Sequence, residues 1–244
     1  MIAGGKRIWT LFALSWLFFA SSSHAVLVGP IAPELISGHR NANNGFGWDY
    51  SYNIELVNHV IQVHTELSFT TGAGVTPAVL DALKPEWEQG IEAFWSNKYA
   101  VQEDGSVLFP IVFDVTFDGP VFNYTVNVTQ GRTTSMLTWG TTPAPGESNG
   151  LLAAHEYGHM FGLFDEYVGG ATDPSGAITD GGSIMGSTAF GVEPRLRHYQ
   201  DFAAWLAAKD PSDQFAVVQV PEPAAAWLLS GGMLGFIVMW RRRS

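Results

Sequence analysis

Two histidines and a glutamate in the stretch HEYGH have the types and spacing of a metal-dependent catalytic centre. His155 and His159 stand four residues apart, so on a helix their imidazoles leave the same face one turn apart. Two neutral ring nitrogens placed in this way can converge on one zinc ion at about 2 Å. Glu156 stands beside the first histidine, where its carboxylate reaches a metal-bound water without binding the metal. The pattern therefore predicts zinc on the two histidines and Glu156 as general base, against the alternative of an ordinary amphipathic helix.

The residues after this helix offer a third ligand. Gly162 stands three residues after His159, and Asp165 three after Gly162. A glycine at that position can adopt the left-handed conformation that ends a helix, which allows residue 165 to face the metal from outside the helix. Because Glu166 follows at once, either carboxylate is open as the ligand.

The complete string HEYGHMFGLFD resembles the metzincin metallopeptidases, in the Asp-ending version of the snapalysin type. The resemblance implies an α+β fold with a twisted mixed sheet, a long backing helix, an active-site helix and a small C-terminal subdomain. It also implies that Asp165, rather than Glu166, is the third zinc ligand. Met185, in the stretch SIMG, would be the methionine turn beneath the metal.

Further candidates lie near the motif. Tyr167 and Tyr199 are candidates for stabilising the oxyanion of a reaction intermediate, and His198 is a candidate for approaching the cleft. The loop that contains Asp173 and Asp180 offers carboxylate and carbonyl oxygens that could bind calcium, although a simple turn is the favoured interpretation.

The activity implied by the resemblance is that of an exported zinc-dependent endopeptidase acting on peptides or proteins. An extended substrate would add as a further strand to an edge strand predicted at residues 133–140. Two alternatives stay open. One is a non-catalytic cell-surface or matrix protein in which a structural zinc ion stabilises a cysteine-free domain. The other is a gluzincin-like peptidase whose last ligand is a distant acid such as Glu193.

Both ends of the chain have the composition of targeting segments. A basic start, an apolar run and small residues indicate a signal peptide over residues 1–25.

Near the other end, VPEP precedes an apolar segment at 224–240 and three arginines. This is the composition of a short transmembrane helix with a cytoplasmic cationic end. Residues 220–244 resemble the PEP-CTERM sorting signal of Gram-negative bacteria. This resemblance implies a membrane tether in the periplasm, processing by an exosortase-type enzyme, and then a place at the cell surface or in the extracellular matrix.

Residues 26–219 have the length of one domain with a sizeable core. The 244-residue sequence contains no cysteine and has a formal charge of −11. Disulfides therefore do not stabilise the domain, and the acidic charge argues against a nucleic-acid partner.

The pattern of apolar residues predicts the order of elements. Residues 26–53, rich in Gly, Asn and Pro, are predicted to be a loop or a removable pro-segment. Strands are predicted in VIQVHTELSF, LFPIVFDVTFDG and VFNYTVNV. Between the first two strands, Thr76 is the expected N-cap of a helix that runs to about residue 98, with Pro85 as a point where it bends or divides.

Overall fold

The computed structural model describes residues 30–132, 134–186 and 192–220. The predicted signal peptide and the predicted membrane segment at 224–240 lie outside these residues. The elements in chain order are β1 (Ile31–Asn41), β2 (Gly47–Val57), β3 (Val60–Thr71), α1 (Pro77–Trp95), β4 (Tyr99–Glu103), β5 (Val107–Phe117), β6 (Tyr124–Thr129), β7 (Thr138–Gly140), α2 (Asn149–Met160), a short 3₁₀ helix (Leu196–Tyr199), α3 (Gln200–Lys209) and β8 (Phe215–Gln219). The order confirms an α+β fold with few helices.

The strands form one mixed sheet in the order β1-β2-β3-β5-β4-β8, with β6 also paired to β3 and β7 paired to β6. β3 is central, because it pairs antiparallel with β2 and parallel with both β5 and β6. The predicted alternation in β3 is confirmed, since Val63, Thr65 and Leu67 are all buried. Side chains that alternate between the two faces of a strand give this pattern when one face covers the core.

The prediction of a loop over residues 26–53 is wrong for the described part of that segment. β1 and β2 form an antiparallel hairpin from Ile31 to Val57. Tyr52 and Ile54 of the second strand are buried in the core, so burial of alternate residues stabilises the hairpin although its sequence is rich in Gly, Asn and Pro. Whether the segment is removed as a pro-segment stays a prediction.

The long backing helix α1 begins and runs as the sequence indicates. The Thr76 side chain caps it by accepting a hydrogen bond from the Val79 N–H, and proline occupies the first helical position. The helix ends at Trp95, three residues before the predicted end at about residue 98, and Pro85 lies inside it without dividing it.

Helix α1 packs closely against α2, the helix that carries the histidines. A Cβ atom added to Gly90 would lie 2.2 Å from the Gly150 Cα, so the two backbones meet where neither residue has a side chain. The Trp95 indole N–H donates to the Ala154 carbonyl at 2.8 Å. These contacts fix the position of α2 over the sheet.

The predicted edge strand is shorter than the predicted range of 133–140. Residue 133 lies outside the described residues, and β7 covers only Thr138–Gly140, in parallel pairing with β6. Ser135, just before this strand, forms an isolated bridge with its first residue, Thr138.

In the described part of the chain, no helix combines the length and the apolar composition needed to cross a membrane.

Candidate metal centre

Helix α2 begins and ends at residues suited to those positions. The Ser148 hydroxyl accepts a hydrogen bond from the Leu151 N–H at 3.0 Å, which caps the N-terminus. Gly162 has a φ of +94° just past the C-terminus, so the predicted left-handed turn is present. The Arg40 side chain of β1 donates to the Gly162 carbonyl at 2.8 Å, which ties the turn to the hairpin.

The motif brings three potential metal-binding side chains together. His155, Glu156 and His159 are buried, and each offers a ligand atom within 4.8 Å of the others. A buried group of two imidazoles and a carboxylate can bind a metal ion.

Backbone carbonyls orient both imidazoles. His155 Nδ1 lies 2.8 Å from the Ile184 carbonyl oxygen, and His159 Nδ1 lies 2.8 Å from that of Leu163. A carbonyl only accepts, so each Nδ1 carries the proton and each Nε2 presents its lone pair to the centre. In proteins that bind metal ions, hydrogen bonds of this kind fix the tautomer and the ring orientation of the histidine ligands.

Asp165 faces both of these Nε2 atoms. Its Oδ1 lies 3.2 Å from His155 Nε2 and 3.4 Å from His159 Nε2, and Oδ1 is buried without a hydrogen bond of acceptable geometry. Its other oxygen accepts from the Ala171 N–H at 2.6 Å. The carboxylate is thus anchored by one oxygen, while the other points between the histidines.

The pKa shifts follow from this crowding of charge. Burial acts to raise the pKa of Asp165, but when the neighbouring imidazoles are protonated their hydrogen bonds and charge outweigh burial and hold that pKa well below its usual range. Burial raises the pKa of Glu156 above its ordinary value; the Asp165 carboxylate adds to the rise, and the histidines oppose it. A carboxylate with a raised pKa is better matched to proton transfer near neutral pH.

Glu166, the open alternative to Asp165, points elsewhere. Its carboxylate accepts two hydrogen bonds from Arg197, from Nε at 2.6 Å and from the terminal nitrogen at 2.5 Å, and it lies 3.1 Å from His198 Nε2. Burial acts to raise the pKa of Glu166, but His198 and Arg197 outweigh it and lower that pKa to about 2. The two adjacent acids therefore have separate partners.

Met185 lies beneath the helix that carries the motif. It is fully buried, and a Cβ added to Gly158 would lie 2.3 Å from its sulfur. Gly158 stands between the two histidines, so the absence of a side chain there lets the methionine approach the helix. The preceding Ile184 supplies the carbonyl that orients His155.

The auxiliary candidates divide between the cleft and the interior. Tyr167 lines the same cavity as His155, and burial with the charges of Asp165 and Glu156 raises its pKa to about 12. Tyr199 is a correction: its hydroxyl donates to the Trp95 carbonyl at 2.7 Å inside the core, because the 3₁₀ helix turns the ring inward.

The prediction for His198 also needs correction. It does not line the cavity around the histidines. Instead its Nδ1 accepts from the Arg195 N–H at 3.0 Å and its Nε2 faces Glu166. The turn of the 3₁₀ helix directs this side chain toward Glu166 and not into the cavity.

Glu193 and the proposed calcium loop lie away from the centre. The Glu193 side chain is exposed, and its backbone pairs with Ser183, so it does not serve as a distant metal ligand. Asp180 is occupied by Arg195 and Arg197, and Asp173 accepts from Ser175. These partners take carboxylate oxygens that a calcium ion would need, so the structure gives calcium no support.

A cavity of about 320 Å³ opens over the three motif residues. Its wall includes residues from the hairpin turn, from the segment before β7 and from the loop after Asp165, namely Asn44, Phe46, Trp48, Thr134, Ser135, Met136, Tyr167 and Gly170. The Trp48 indole N–H donates to the His159 carbonyl at 2.9 Å. The contribution of the hairpin was missed because its residues carry no chemical motif and join the site only through the sheet.

The C-terminal residues 219–243 match the family model of the PEP-CTERM protein-sorting motif. The match confirms the predicted sorting tail. It indicates a secreted protein of Gram-negative bacteria that is sorted at the membrane and recognised by an exosortase-type enzyme. No curated protein and no solved structure is significantly similar to the chain.

Proposed function

We propose that the chain is an exported zinc-dependent endopeptidase of the metzincin type, with His155, His159 and Asp165 as ligands and Glu156 as general base. One observation carries the proposal. The Asp165 Oδ1 is buried, lacks a hydrogen bond and lies 3.2 and 3.4 Å from two imidazole nitrogens. When the imidazoles are neutral, this buried carboxylate oxygen has no donor, which is costly, and a cation bound between the three groups removes that cost.

The spacing of these atoms suits zinc. Two ligands that each lie about 2.0–2.1 Å from a tetrahedral zinc ion are about 3.3 Å apart. The separations of 3.2 and 3.4 Å agree with that value. Two nitrogen ligands and one oxygen ligand leave the fourth position free, as in catalytic rather than structural zinc sites. The donor set thus supports a catalytic ion.

Zinc bound there would supply a Lewis acid and would lower the pKa of a water toward about 7. Glu156 is buried beside the two histidines, where it accepts the proton of the attacking water and returns it to the leaving amine. Tyr167 lines the same cavity, and its phenol, protonated at neutral pH as tyrosine ordinarily is, is the candidate donor to the oxyanion.

The apolar residues of the cavity wall favour a substrate that has an apolar segment next to the scissile bond. Phe46 is 70% exposed at the cavity, and Trp48 and Met136 line it as well. An exposed aromatic side chain beside a site gives a substrate apolar area to cover. The short β7, whose first residue Thr138 forms a bridge with Ser135, would supply the backbone edge to which an extended peptide adds.

The test uses the full chain and its Glu156→Gln variant with a casein substrate. We expect the variant to bind one zinc ion per chain and to lose about 10²–10⁴-fold in hydrolysis, because it keeps the shape of the site and lacks the base. Full hydrolysis by the variant with zinc bound would contradict the assignment. If the unaltered chain bound zinc but hydrolysed no casein, the result would favour the alternative of a non-catalytic protein stabilised by structural zinc.

A further inference from the structure

The loop that supplies Asp165 has no regular secondary structure to hold it. Residues 163–166 belong to no helix or strand. The direction of the Asp165 side chain is therefore set by its own hydrogen bonds with Ala171 and by the contacts of its neighbours. Ligands of catalytic sites keep their geometry only when surrounding residues lock them in place.

Glu166 makes the contacts that can do this. Its backbone N–H donates to the Met185 carbonyl at 2.7 Å, and its carbonyl accepts from the Asp180 N–H at 2.9 Å. Its carboxylate takes both hydrogen bonds from Arg197 and faces His198 Nε2. One residue thus joins the ligand loop to the methionine turn and to the 3₁₀ helix.

The side chains around Glu166 alternate in direction. Asp165 and Tyr167 line the cavity that holds the histidines, and Glu166 does not. Successive side chains that alternate in this way are coupled through the backbone, so holding Glu166 firmly on one side favours the opposite side for both of its neighbours. The bidentate guanidinium contact is suited to this task, because two parallel hydrogen bonds fix an orientation as well as a distance.

We propose that Glu166, clamped by Arg197 and His198, is a positioning residue that turns Asp165 and Tyr167 toward the metal centre. The inference rests on the proposed function, since it assigns a role in that same site. It gives the second acid of the motif a task that is separate from metal binding.

A neighbouring arginine provides a matched control. Arg195 and Arg197 both pair with Asp180, and they are 31% and 35% exposed. Of these two, only Arg197 reaches Glu166. Arg195 contacts His198 through its backbone N–H, which a side-chain substitution keeps. Exchange of either arginine for lysine retains the charge and removes the planar, bidentate donor.

The experiment compares Arg197→Lys with Arg195→Lys in the full chain. Zinc affinity is measured by chelator competition, the visible absorption spectrum is recorded after Co²⁺ substitution, and thermal unfolding is followed without metal. We expect Arg197→Lys to raise the zinc dissociation constant about 10–100-fold and to change the Co²⁺ spectrum. We expect Arg195→Lys to match the unaltered chain in both. Similar unfolding of the two variants would show that the difference belongs to the site and not to general stability.

Equal zinc affinities and equal Co²⁺ spectra for the two variants would overturn the inference and leave the proposed function standing. If the unaltered chain bound no zinc, the proposed function would fall and this inference with it. If Arg197→Lys did not fold, Glu166→Gln would take its place, because it keeps the side-chain shape and removes the charge. It is expected to show the same loss of affinity, and an unchanged affinity would overturn the inference.

Discussion

Two clusters of side chains meet at the peptide bond between Asp165 and Glu166. The first contains Asp165 and the two histidines, and the second contains Glu166, Asp180 and their arginine partners. The two clusters differ in the groups that face their carboxylates. Of the described residues that line the cavity over His155 and His159, none is lysine or arginine; the Asp165 carboxylate faces these two imidazoles. Glu166, one residue later, accepts two hydrogen bonds from a guanidinium, and Asp180 beside it pairs with Arg195 and Arg197.

The difference separates a site that can bind a cation from a site whose positive groups belong to the chain itself. Buried carboxylates are stable when a positive group with good geometry is next to them. The cluster around Glu166 contains that group within the chain, so it is suited to holding structure together. The cluster around Asp165 contains weak bases, whose lone pairs and carboxylate together favour a metal ion.

The largest expected effect is the loss of metal from the first cluster. His159→Ala removes a ligand and leaves the Asp165 carboxylate with one imidazole, so zinc content after dialysis should fall from one ion per chain toward none, and hydrolysis should be lost with it. Metal analysis and the casein assay measure both. His64→Ala is the control, since His64 pairs with Asp114 on the sheet. A His159→Ala chain that kept its zinc would contradict the ligand assignment.

The two clusters can next be compared through the loss of one acid from each. Asp165→Asn should raise the zinc dissociation constant by more than the roughly 10–100-fold typical of a residue outside the first coordination shell. Asp180→Asn should act mainly on folding, with a loss of about 1 kcal/mol in the unfolding free energy of the metal-free chain and a smaller change in zinc affinity. Chelator competition and urea unfolding separate the two effects. Equal losses of zinc affinity would remove the distinction between the clusters.

A third measurement concerns how the metal-site helix is fixed to the sheet. The Tyr124 hydroxyl donates to the Met160 carbonyl at 2.7 Å and accepts from the Ser51 N–H at 2.5 Å. Burial raises the pKa of Tyr124 from 10.0 to about 12. Between these values the unfolded chain loses the phenolic proton and the folded chain keeps it, so stability falls as pH rises.

The titration of Tyr124 alone lowers the free energy of unfolding by roughly 2–3 kcal/mol by pH 12. Tyr124→Phe removes this contribution and, through the lost hydrogen bonds, costs about 1 kcal/mol at neutral pH. Urea unfolding between pH 7 and pH 12 should therefore show a shallower alkaline decline for the variant. Parallel curves for the two chains would show that Tyr124 does not titrate in this way.

The smallest expected effect lies at the rim of the first cluster. Phe46→Ala removes apolar area from the cavity wall and no ligand, so KM for a peptide with an apolar residue at the cleavage point should rise about fivefold, the equivalent of roughly 1 kcal/mol. Zinc affinity and kcat should stay the same. A fall in kcat at unchanged KM would place Phe46 in a different role.

The close approach of His155, Glu156 and His159 was predictable from sequence because these residues are local. A helix fixes the relative positions of His155, Glu156 and His159, and the positive φ of Gly162 turns the chain toward residue 165. Backbone geometry alone sets such distances, so spacing in the sequence reports them.

The contacts of Glu166 and of the hairpin could not be predicted in this way. Arg197 stands 31 residues from Glu166 and Arg40 stands 122 residues from Gly162, and no periodic pattern links residues that meet only through the folded sheet. β1 and β2 were missed since glycine, asparagine and proline usually mark loops, while pairing between strands and burial of one face decided the local structure. Tyr199 and His198 stand side by side in the sequence, yet the 3₁₀ helix gives them different surroundings.

The last strand has a consequence for export. β8 is the terminal strand in the order that runs from β1, and the Val220 N–H donates to the Lys98 carbonyl at 3.0 Å. The sorting-motif match begins at residue 219, so hydrogen bonding to the sheet continues into the first residues of the matched segment. At about 3.5 Å per extended residue, a sorting enzyme that grips the motif works within roughly a nanometre of a folded edge. Residues inserted at this junction would lengthen the distance between the folded edge and the motif, and we expect that distance to affect how readily the sorting enzyme reaches the motif.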